Sequence, residues 1–236
     1  MSIQLIESAI SVITLVLAYF VVVTVAGSFR AWVAFSFGDD TAESLGLMSL
    51  NPLVHVDFLG MIFLLGFGFG WGRHIPVNPF RIQGPSRILK IVFAYLSDAF
   101  AHLLMAVIFF SSLIYAFGLR VLELVVPMIY YGQLVQSAFA QAYPDYSSLA
   151  ISLGLIGVAL IFLNVLLAVL NFIVSIFGLF SFTWFEQSPT YSRYRAILMI
   201  VIPMVFILLF IHPLRKLAIK FLIHLGLLFA SMFNVS

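Results

Sequence analysis

The chain has 236 residues, 64% hydrophobic and 8% charged, and its mean hydropathy of +1.19 lies far above what a domain in water sustains. This is the composition of an integral membrane protein, expected to fold as one domain over residues 1–236 with the lipid bilayer as its first partner. A net charge of +2 with scattered Lys and Arg excludes a phosphate-tracking groove, so no nucleic acid is expected, and the absence of cysteine excludes disulfides and thiolate metal sites.

The first hydrophobic run, Ala9 to Phe29 with a helical continuation to Phe37, is long enough to cross a bilayer. It follows Glu7 and lacks a basic leader and a small-residue cleavage site, so it reads as a retained span. A polar joint, GDDTAESLG, follows. The stretch FLGMIFLLGFGFGWG, Phe58 to Gly72, is short and glycine-rich. It reads as a re-entrant piece covered by neighbouring helices, because lipid cannot satisfy exposed backbone groups.

Prolines and a glycine forbid a continuous helix in RHIPVNPFRIQGPSR, and its arginines place this joint on the cytoplasmic side by the positive-inside bias. The strongest span follows, Ile88 to Leu119. Arg120 to Tyr143 mixes Glu and Gln with aliphatics and suits an interfacial or bundle-packed helix. Another span runs from Ser148 to Phe182. After the joint EQSPTYSRYR come two closing hydrophobic segments, Ala196 to Ile211 and Leu214 to Phe233. The fold expected is an all-α polytopic membrane protein with five or six membrane segments.

Three linked pieces then carry a resemblance: GDDTA with Gly38, Asp39, Thr41 and Ala42; SLNPLVHVDFLG with Asn51, Pro52, His55, Asp57 and Gly60; and FGWGRHIPVNP with Gly70, Trp71, Pro76, Val77, Asn78 and Pro79. In order and spacing they resemble the site-2 protease family of intramembrane zinc metalloproteases, in particular its compact prokaryotic-type members. The resemblance implies a site-2 protease-like core, and it implies an H-E-x-x-H motif on the helix before Gly38. Two histidines four apart share one helical face and hold zinc, and the glutamate between them activates water. The corresponding positions are Ala26, Gly27 and Arg30. Alanine and glycine offer no donor atom, and a guanidinium repels a cation. The family's third ligand, an aspartate, falls near Leu179.

These substitutions lead to the expectation of a pseudoprotease: no enzyme, no zinc, no cofactor, and a scaffold that serves as a structural or helix-binding subunit of a membrane complex. Partners expected are other membrane subunits, a transmembrane helix or a second copy of the chain. A bacterial inner membrane is the expected location, with an organellar membrane as the alternative.

Two other readings stay open. An active metallopeptidase with a relocated site would draw on His55, Asp57, Asp98 or His102, of which Asp98 and His102 lie four apart on one span as an intramembrane polar pair. A transporter or channel subunit would use the same buried charges, though no internal duplication supports it.

Overall fold

The computed structural model describes residues 3–68, 70–131, 136–184, 201, 205, 216, 219–228 and 231–232. Among them every regular element is a helix, with one isolated antiparallel bridge, Val56 to Gly72. Three helices are long and apolar enough to cross a membrane: α1 (Ile3–Ser36), α5 (Arg87–Phe117) and α8 (Ser148–Trp184). Shorter apolar helices occupy Phe58–Phe67 and Ile219–Leu228. Of the five or six membrane segments expected, three appear as long spans among the described residues. The joint EQSPTYSRYR lies outside those residues, as does most of the two closing segments.

Between α1 and α5 the chain makes three short helices, each punctuated by the residue type its end requires. α2 (Thr41–Ser44) follows the acidic joint. α3 (Pro52–His55) starts at Asn51, whose side chain accepts from the Leu53 N–H, with proline at the first helical position. α4 (Phe58–Phe67) starts at Asp57, whose Oδ1 accepts from the Gly60 N–H at 2.8 Å. It stops at Gly68, whose φ of 74° is left-handed and terminates a helix without a Cβ clash. Ten residues of α4 span about 15 Å, half of a hydrocarbon core.

The chain then doubles back, and a Cβ on Gly60 would collide with the Trp71 carbonyl, as one on Gly70 would with that of Gly60. The glycine-rich composition is thus used for backbone-on-backbone contact. Tyr19 of α1 fastens this return, its hydroxyl donating to the Trp71 carbonyl at 2.8 Å.

The main core forms where α5 packs along α8, with α1 against both. Because lipid tails are as apolar as leucine, such helices associate through close packing and small residues rather than through exclusion of water. Gly157 of α8 illustrates this: a Cβ there would stand 2.9 Å from Leu113 of α5.

After a 3-10 turn at Leu119–Val121 come α6 (Leu122–Tyr131), which carries Pro127, and α7 (Gln136–Ala142). Of the two alternatives, interfacial or bundle-packed, they show the second, with Val121, Val125, Met128 and Phe139 buried in the main core. Phe117, Phe139, Tyr143 and Tyr146 form an aromatic cluster at that end, with centroids 5.0 to 5.4 Å apart.

Candidate functional site

A run of polar residues crosses the three spans. Arg30 of α1 is 2% exposed, and its Nη1 donates to Asp98 Oδ2 at 2.6 Å and to the Tyr95 carbonyl at 3.2 Å. The same nitrogen lies 3.5 Å from Ser175 Oγ of α8, and the Ser175 hydroxyl in turn donates to the Tyr95 carbonyl. The guanidinium also lies over the Tyr95 ring, 5.7 Å from its centroid, in cation–π range. Asp98 Oδ1 accepts from the Ala99 N–H. Arg30 Nε is buried without a hydrogen-bond partner.

One turn beyond Asp98, His102 turns to α8, its Nδ1 2.8 Å from Asn164 Oδ1, while Asn164 Nδ2 donates to the Leu160 carbonyl. Asp98 and His102 thus share a helix face, but Asp98 is ion-paired with Arg30 and His102 is bonded to Asn164. Leu179 packs on the small cluster of Val33, Ile82, Ile91, Ala94 and Tyr95, and its neighbour Gly178 lines a cavity with Arg30. Ala26 is buried on α1.

A second cluster lies under α3. His55 is 1% exposed, with Nε2 2.7 Å from the Ser49 carbonyl and 3.0 Å from Ser28 Oγ. The Ser28 hydroxyl donates to the same carbonyl at 2.7 Å. A carbonyl can only accept, so the proton sits on Nε2 and the bare Nδ1 is the atom left without a partner. The basic nitrogen therefore faces away from Ser28, and this pair is not a serine nucleophile with its base. Nδ1 abuts Gly27, where a Cβ would stand 2.5 Å from it. Burial lowers the His55 pKa below its ordinary value, and the nearby Arg73 charge acts the same way against the pull of the Ser49 carbonyl. Asp57, two residues on, caps α4 instead of facing His55.

The remaining signature residues brace the loops. Asp39 is fully buried: Oδ1 accepts from the Thr41 N–H at 3.1 Å and hydroxyl at 2.5 Å, and Oδ2 accepts from the Asn78 N–H at 2.6 Å. One carboxylate thus ties GDDTA to the IPVNP stretch, placing Pro76, Val77 and Pro79 below α1. Ala42 is buried in a small core with Ala31, Leu47 and Ile75. Arg81 pairs with Asp40 at the surface. The Arg73 N–H donates to the His55 carbonyl at 2.7 Å, beside the Val56 to Gly72 bridge.

Sequence reasoning reaches Arg30, Asp98, His102 and His55 but misses Tyr95, Ser175 and the Ser28 contact. Ser175, one of the few polar residues on its span, carried a usable signal, since a polar side chain inside a membrane helix usually finds a partner on another.

Fold and site together define an α-helical membrane protein with a buried charged pair at the crossing of its long helices. Among curated proteins the chain is similar to one named "Putative zinc metalloprotease YwhC" of Bacillus subtilis (strain 168), 34% identical over 145 residues, 61% of this chain and 58% of that protein. The chain thus spans under two thirds of that relative's length. No family model and no solved structure matches it.

The similarity points to a protease-like family and corrects the expectation that the chain is no enzyme. That expectation rested on Ala26, Gly27 and Arg30 of α1 and on the missing aspartate near Leu179 of α8. Donor sets are assembled by tertiary proximity, so such positions describe one arrangement of ligands and do not decide the class. As for the metal in the relative's name, among the described residues no three His, Asp or Glu side chains converge. Arg30, a fixed cation, sits beside Asp98, so these donors do not fit a zinc ion.

Proposed function

We propose that the chain is a site-2 protease-like membrane protein that engages a transmembrane segment of another protein, as a helix-binding subunit of a complex in a bacterial membrane. The observation that supports this is the braced frame around α1. Asp39 ties the loops, Asn51 and Asp57 cap α3 and α4, and Tyr19 holds the return at Trp71.

In this reading α4 and the returning residues 70–72 form a re-entrant piece. Exposed Leu65 and Phe67 on α4 meet the incoming helix. A photo-reactive amino acid at either position tests this in native membranes. A discrete crosslink to a membrane protein is expected, and crosslinking to lipid alone would sink the reading.

The name of the relative favours a second reading, a metal-dependent peptidase acting on such a segment. About one zinc per purified chain, with chelator-sensitive cleavage of a transmembrane substrate, would establish it in place of binding alone.

A further inference from the structure

We propose that the cavity beside Arg30 is a binding site for a carboxylate. It holds about 100 Å³ and is lined by Arg30, His74 and Tyr95 against Pro76, Val77 and Val174. The proposal stands apart from the transmembrane-segment reading and needs neither a metal nor a partner helix.

Its basis is the hydrogen-bonding state of a residue that cannot change its charge. The guanidinium stays protonated, and its contacts to Asp98, the Tyr95 carbonyl and Ser175 all run through Nη1. Among the described residues Nε–H has no acceptor although Arg30 is 2% exposed. The Nε edge of a guanidinium is a side on which the two oxygens of a carboxylate dock in parallel. Asp98 does not supply that acceptor, because Oδ2 is on Nη1 and Oδ1 is on the Ala99 N–H.

The volume sets the ligand's size. It would take about three waters at their liquid volume, or one carboxylate with a short tail. Pro76, Val77 and Val174 suit that tail, and the fixed charge of Arg30 selects an anion over a neutral amide. Two sources share this chemistry: a free short-chain carboxylate, and the C-terminal carboxylate of a peptide.

The test uses the full chain in detergent micelles, its thermal unfolding followed in sodium acetate, sodium chloride and acetamide at matched ionic strength. Acetate should raise the midpoint saturably while the other two do not. Arg30→Lys keeps a cation for Asp98 but removes the fork, and should weaken acetate binding at least about tenfold. Val174→Phe fills the cavity and leaves the ion pair intact; it should do the same, with Val77→Phe in its place if that variant does not fold.

A tripeptide with a free C-terminus, compared with its amide, separates the sources. Binding about tenfold tighter than acetate assigns the site to a peptide end, and weaker binding than acetate assigns it to a free carboxylate. Equal shifts with acetate and acetamide, or a full acetate response in Arg30→Lys and in the cavity-filling variant, would overturn the proposal.

Discussion

Replacing Asp98 by alanine removes the carboxylate paired with a guanidinium that is 2% exposed, and Arg30 cannot discharge itself by losing a proton. At 2.6 Å and an effective dielectric constant of about 20, the direct attraction of the pair is about 6 kcal/mol. Much of it offsets the desolvation of the two groups, so the pair's net contribution is far smaller. Breaking the pair is a different matter, because the desolvation of Arg30 remains while the attraction goes.

The Tyr95 carbonyl and Ser175 hydroxyl still accept from Nη1, yet neither carries a charge. A loss of about 3–5 kcal/mol is expected for Asp98→Ala. The double variant Arg30→Met, Asp98→Ala removes the orphaned cation together with its partner and should recover most of that loss. Reversible unfolding in mixed micelles, read by tryptophan fluorescence, measures both. If Asp98→Ala lost less than about 1 kcal/mol, or the double variant fell as far as the single one, the buried pair would not be a linchpin of the bundle.

Gly27→Ala places a Cβ 2.5 Å from His55 Nδ1 and should cost about 1–3 kcal/mol; His55→Ala in the same chain relieves the clash, so a double-mutant cycle should be strongly non-additive. The lowered His55 pKa gives a signed pH dependence: the unfolded chain takes up a proton near 6.5 and the folded chain only at lower pH. Stability is therefore full above about 6.5 and falls as pH drops below it. His55→Gln should flatten that part of a stability-against-pH curve. Asp39→Ala orphans the N–H groups of Thr41 and Asn78 and should cost about 1–3 kcal/mol, with faster hydrogen exchange at both amides as the check.

The long helices were legible because length and hydropathy specify them: the run assigned to Ile88–Leu119 folds as Arg87–Phe117, and that assigned to Ser148–Phe182 as Ser148–Trp184. Asn51 and Asp57 enter the sequence analysis as signature residues and not as the helix caps they prove to be, although a cap acts within three residues of itself. What the chain order does not carry is the choice among buried partners. Asp98 has His102 one turn away on its own helix and Arg30 on another, and only the approach of α1 to α5 decides that the guanidinium takes it. His55 and Asp57 sit two apart and still have different tasks, because His55 closes α3 and is held by the Ser49 carbonyl while Asp57 opens α4 as its cap. Ser175 shows the same limit: its acceptor, the Tyr95 carbonyl, is 80 residues away.

The position of Arg30 gives these contacts a common sense. In the arrangement that the resemblance to site-2 proteases implies, a divalent cation would be held by side chains from two helices. Here the cation is covalently part of α1, and its acceptors come from the Tyr95 carbonyl and Asp98 on α5 and from Ser175 on α8. A positive charge at a crossing of apolar helices is costly unless acceptors meet it, and three of them do so at Nη1. The three spans are thereby fixed at one level, and His102 with Asn164 joins α5 to α8 again about one turn further along α5. The bundle is thus pinned by polar contacts at two levels, with the cavity beside Arg30 lying next to the first of them.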